Sequence, residues 1–158
     1  LGQTNWGFSN IGFLNRAVRE LLKGRSVLTA YYSTTETITV DEFGNYTAVS
    51  LDTSRALGDT AFFELGTNAI DVSVSARYKI TGIIGLDHSH GHDVGVAVLV
   101  NDQVTLAQVN VGTTDQATSV TTTLDLNPGD VLTLGVACLD NHSANVDINT
   151  ARLIIEKV

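Results

Sequence analysis

Apolar and polar residues alternate with a period of two through most of the chain beyond residue 26. Between residues 76 and 100 the alternation is longest: Tyr78, Ile80, Ile84 and Leu86 share one face of an extended segment, and Val94, Val96, Val98 and Val100 share one face of the next. Successive side chains of a strand point to opposite sides, so this period marks strands that each bury one face. The same grammar predicts strands at 26–33, 36–41, 45–51, 59–65, 69–74, 76–86, 94–100, 104–111, 117–126, 130–138 and 147–157. The separators at 43–45, 66–68, 101–103, 112–115, 127–130 and 140–143 carry Gly, Asn, Asp and Pro, the residues that adopt turn conformations most readily. About ten short strands at this spacing predict an all-β sandwich or jelly roll.

Residues 1–25 follow a different rhythm. Ile11, Leu14, Val18 and Leu21 are spaced three, four and three apart, the seam of a coiled coil, with Arg16, Arg19, Glu20 and Lys23 off the seam and Gly24 as a stop. A short N-terminal helix is expected there, capped by Ser9 or Asn10. It would either lie on the body or bundle with copies of itself, since a helix of about 12 residues is marginal alone. The chain thus divides into a helical stalk or trimerisation segment at 1–25 and a β head at 26–158. At the far end of the head, Leu153 and Ile155 face one way while Ile154 and Val158 face the other. A strand apolar on both sides is expected to be central in a sandwich or pressed against another subunit.

Composition narrows the partners. Nine basic and 17 acidic residues give a net charge of -8, which repels nucleic acid phosphates and anionic membrane surfaces, so neither is expected as a partner. At 158 residues with 43% apolar content the chain has the material for one sizeable core. The single cysteine, Cys138, is in step with Leu132, Leu134 and Val136 and is expected to be a core thiol. No apolar run approaches the roughly 20 residues of a membrane helix, and no signal peptide is visible. The chain has no methionine, even at position 1, so it is expected to be the C-terminal piece of a longer protein.

Four segments carry a resemblance. Residues 76–84, 98–102, 123–136 and 151–158, the third containing Leu126, Asn127, Pro128, Gly129, Asp130 and Leu132, resemble in order and spacing the later strands of the complement-type globular head and tumour-necrosis-factor-like jelly-roll family. They are most similar to its bacterial spore-surface and phage fibre head domains. The resemblance covers residues 59–158 well, 26–58 loosely and the first 25 not at all. It implies a ten-stranded jelly roll forming a homotrimer on a fibrous stalk, with Ile11, Leu14, Val18, Leu21, Ile154 and Val158 at the trimer interface.

Candidate chemistry concentrates in one turn. Asp87, His88, His90, His92 and Asp93 lie within seven residues. Imidazoles at alternate positions suit zinc, iron or nickel, with Asp87 or Asp93 orienting the rings, and in a trimer each chain would supply a pair to one ion on the axis; the alternative is a solvated hairpin that holds no metal. Gly82, His88 and His90 also match the opening of the cupin metalloenzyme motif. The acidic ligand that motif needs is missing, because Val94 and Gly95 stand in its place. No nucleophile elbow and no phosphate-binding glycine loop occur. The expected function is therefore non-enzymatic: a trimeric head on a virion, spore or other extracellular surface. It would contact a host glycan or protein through the histidine turn, through Gly112, Thr113, Thr114 and Asp115, and through Asn141, His142 and Asn145. The alternative is a purely structural trimerisation or capping domain.

Overall fold

The computed structural model describes residues 26–32, 34–40, 44–57, 60–87, 93–111, 116–140 and 142–158. Through them run β1 (Val27–Tyr31), β2 (Glu36–Val40), β3 (Thr47–Ala48), β4 (Thr53–Leu57), β5 (Phe63–Leu65), β6 (Ile70–Val72), β7 (Ala76–Asp87), β8 (Val94–Val100), β9 (Gln103–Val111), β10 (Gln116–Leu126), β11 (Val131–Cys138) and β12 (Ala144–Lys157), with a 3-10 turn at Thr60–Phe62. They form two six-stranded sheets. The first has the order β10-β7-β12-β1-β4, with β2 also on β12; the second has β5-β6-β11-β8-β9, with β3 also on β11. The pairings are antiparallel, and the two sheets make a jelly-roll sandwich. The expected N-terminal helix, with Ile11, Leu14, Val18 and Leu21, lies outside the described residues. No helix among the described residues is long and apolar enough to cross a membrane.

The period-two pattern becomes the core. Tyr78, Ile80, Ile84 and Leu86 of β7 and Leu153 and Ile155 of β12 meet Val94, Val96 and Val98 of β8 and Leu132, Leu134 and Val136 of β11, none of them more than 2% exposed. Each such side chain contributes about 1.5–3 kcal/mol by leaving water. Gly82 breaks the apolar series of β7 because the facing sheet leaves it no room. A Cβ there would come within 2.6 Å of Leu134 Cδ1.

Several strands differ from their sequence expectation. Among the described residues there are twelve strands, where the alternation predicts eleven and the resemblance implies ten. β4 was not foreseen because it is an edge strand with no buried face, and so has no apolar alternation to betray it. The expected strand at 45–51 pairs only at Thr47–Ala48, because beyond Val49 side chains take over the backbone bonds: Ser50 N–H donates to Glu36 Oε1 at 2.8 Å and Leu51 N–H to Asn68 Oδ1 at 3.2 Å. β12 starts at Ala144 rather than 147, and a bulge between Ile148 and Thr150 divides it. Its first residues look like a turn, yet Asn145 accepts from Thr39 Oγ1 at 2.9 Å and Asp147 from Thr37 Oγ1, polar rungs across β2 and β12. Asn145 is therefore a strand residue, not a loop residue.

The residues from Val94 to Leu99 and from Leu132 to Cys138 are buried on both faces. The second face is a trough of Gly95, Ala97, Gly135 and Ala137, and Tyr46 and Leu139 fill it.

Two turns brace one end of the sandwich. Asn101 and Asp102, with φ of 51° and 62°, form the two-residue hairpin between β8 and β9. Residues 127–130 form a turn with Pro128 at its second position and Gly129 at φ 92°, closed by Asp130 N–H donating to the Asn127 carbonyl at 3.1 Å. Asp130 ties the two together, accepting from Asn101 Nδ2 and from Asn127 N–H, each at 2.8 Å. Ser26, where the described residues begin, lies at this same end, its carbonyl accepting from Lys157 N–H at 2.9 Å.

Candidate functional site

The opposite end gathers the segments singled out by sequence. β7 stops at Asp87 and β8 starts at Val94; β9 stops at Val111 and β10 starts at Gln116; β11 stops at Cys138 and β12 starts at Ala144. The registers Leu86 with Gln116, Val94 with Val111 and Val94 with Cys138 bring these ends together. Three connections far apart in sequence thus spring from one end, remote from Ser26. His88, His90 and His92, Gly112 to Asp115, and Asn141 lie outside the described residues.

Their flanks are fixed. Asp93 N–H donates to Asp140 Oδ2 at 3.0 Å, and Leu139 N–H donates to the Asp93 carbonyl at 2.8 Å. The return of the histidine turn is thereby clipped to the connection that carries His142, an exposed residue. Asp87 stands directly opposite Asp147 across β7 and β12, and both side chains are exposed. This end is acidic, with Asp87, Asp93, Asp140 and Asp147 close to its strand termini. Among the described residues no three His, Cys, Asp or Glu side chains are arranged to hold a metal ion.

Nearby groups have structural employment. Glu36 lines a shallow polar pocket of about 240 Å³ with Thr35, Thr37, Asp147 and Asn149, but Ser50 N–H and Oγ occupy its two oxygens at 2.8 and 2.7 Å. Cys138 is fully buried, as its phase predicts. Tyr46 Oη is buried in the trough without a hydrogen-bond partner among the described residues, and burial pushes its phenol above the ordinary value. Burial raises Tyr78 likewise, although its hydroxyl donates to the Val74 carbonyl at 2.7 Å.

The outer face of the first sheet carries the other sequence candidates. Ile154 is half-buried between Thr29 and Thr81, and Val158 is 70% exposed beyond the end of β12. β12 is central in its sheet, between β7 and β1. No periodicity or motif marks the cleft beside it: Thr29, Tyr31, Arg55 and Arg152 line a hollow of about 350 Å³ on this face. Only the pairing of β1 with β4 and β12 brings its parts together.

No protein-family model matches the sequence, and no curated protein matches it significantly. Solved structures do match in fold. Murine APRIL at pH 5.0 aligns over 85% of this chain and 99% of its own, with a TM-score of 0.58 and 17% identity. The globular domain of zebrafish complement 1qA protein aligns over 85% and 97%, with a TM-score of 0.54 and 10% identity. PRD1 vertex protein P5 aligns over 84% and 96%, with a TM-score of 0.53 and 14% identity. The fold is therefore the tumour-necrosis-factor-like and complement-like jelly roll that the four segments at 76–158 resemble.

Proposed function

We propose, from this jelly-roll head fold, that the chain is a non-enzymatic homotrimeric head domain of a virion or other extracellular surface protein. The observation that carries the reading is the outer face of the first sheet. Thr121, Thr81, Ile154 and Thr29 form one cross-strand row, and Ser119, Ile83, Arg152 and Tyr31 the next. These eight positions hold no carboxylate, in a chain with 17 acidic residues. Depletion of Asp, Glu and Lys at the centre of a surface patch, with Arg and Tyr retained, is the compositional mark of an interface core. The acids Glu156, Asp125, Asp87 and Asp147 stand around it. The fold likenesses to complement and APRIL heads support self-association, and the likeness to a vertex protein supports a virion surface.

Within this reading the connections opposite Ser26 present the ligand loops to a host glycan or protein. His88, His90 and His92, flanked by Asp87 and Asp93, would hold any zinc, iron or nickel ion. Light scattering on the purified chain is expected to give three times 16.8 kDa. A monomer at micromolar concentration rejects the reading. Glycan-array binding separates a receptor-binding head from a purely structural one.

A further inference from the structure

We propose that Arg55, Arg152, Tyr31 and Thr29 form a binding site for an oxyanion, a carboxylate or phosphate group, on the outer face of the first sheet. Thr29 pairs with Arg55 across β1 and β4, and Tyr31 pairs with Arg152 across β1 and β12. The four side chains therefore share one face, with the arginines on either side of β1. Two strand spacings and a two-residue offset separate their Cα atoms by about 12 Å, within which two long side chains converge on one small ion. The hollow between them measures about 350 Å³, ample for such a group.

The chemistry of the lining is one-sided. Two guanidiniums bring ten N–H donors and no acceptor, and the phenol and the threonine hydroxyl add two more donors. No carboxylate lines the hollow. In a chain with 17 acidic and 9 basic residues, an exposed arginine ordinarily finds an acidic neighbour, as Arg77 does with Asp125 at 4.0 Å. Neither Arg55 nor Arg152 makes an ion pair with a described residue. Two like charges held on one face without a counterion repel, and an oxyanion between them removes that repulsion while accepting from both forks. The anion is either a free one or a carboxylate of a second copy of this chain.

The test has two readouts on the purified chain: the thermal midpoint with sodium phosphate against sodium chloride of equal ionic strength, and the assembly mass. Wild type, Arg55→Gln, Arg152→Gln and Arg152→Lys are compared; the arginines are exposed, so the variants fold. For a free anion, phosphate about tenfold above its dissociation constant raises the wild-type midpoint by about 3 °C. Both glutamine variants lose the shift, and Arg152→Lys, which keeps the charge without the fork, loses about half of it. For a carboxylate of a second copy, wild type shows no shift and the glutamine variants lower the assembly mass. A shift that survives both glutamine variants overturns the site. So does the absence of both a shift and a mass change. A monomer that shifts with phosphate keeps this site while rejecting the trimer, so the two failures are distinguishable.

Discussion

Two tyrosines separate the contributions of a buried hydroxyl at the scale of the residue. Tyr46 Oη is desolvated without a partner among the described residues, whereas Tyr78 Oη donates to the Val74 carbonyl at 2.7 Å. An unmet buried hydroxyl costs about 1–3 kcal/mol, and a met one contributes about 1 kcal/mol. Tyr46→Phe should therefore raise stability by about 1 kcal/mol and Tyr78→Phe should lower it by about 1 kcal/mol, read from urea midpoints at unchanged slope. Destabilisation by Tyr46→Phe would mean that its oxygen is bonded. Burial also sets an alkaline limit, since both phenols are raised from their ordinary 10.0. The unfolded chain ionises near 10 while the folded chain keeps its protons, so folding stability falls as pH rises above 10 toward the folded-state values. The Tyr78→Phe variant should show a shallower loss in that window than wild type.

At the scale of the element, the sheets are held apart by their largest side chains and drawn together where β7 has none. Gly82→Val would drive a branched side chain into Leu134, Val120 and Val98, which stand within 3.3 Å of a Cβ at that position. Overpacking of this kind costs about 1–3 kcal/mol, and a thermal midpoint within 1 °C of wild type would show that the sheets separate there freely. The braced turns offer a second test. Asp130→Ala removes the acceptor for Asn101 Nδ2 and Asn127 N–H, and should cost about 1–3 kcal/mol by denaturant titration. Sequence signals served these elements unevenly. The turns at 101–103 and 127–130 were legible because Asn, Asp, Pro and Gly encode their backbone angles locally. β4 was not, because an edge strand with both faces exposed has no pattern to display. Asn145 looked like a loop residue because its partner, Thr39, lies more than 100 residues earlier.

At the scale of the whole molecule, the first sheet's outer face decides between a solitary sandwich and an assembly. Ile154→Asp places a carboxylate at the centre of the carboxylate-free patch without touching the core, since Ile154 points away from Leu153 and Ile155. Burying that charge across subunits costs about 3–5 kcal/mol per interface. The expected outcome is a folded chain whose mass by light scattering drops to that of a monomer, and an unchanged trimer would remove this face from the interface. The sequence by itself determined the class of fold, the inward-facing series of β7, β8, β11 and the end of β12, and the buried state of Cys138, because period-two alternation and turn residues act locally. Only the tertiary structure decided that the connections after β7, β9 and β11 share an end, that the trough of Gly95 and Gly135 is covered by Tyr46, and that Arg55 and Arg152 face one hollow. Those facts depend on which strands pair, and pairing is fixed by closing the core as a whole rather than by any one segment.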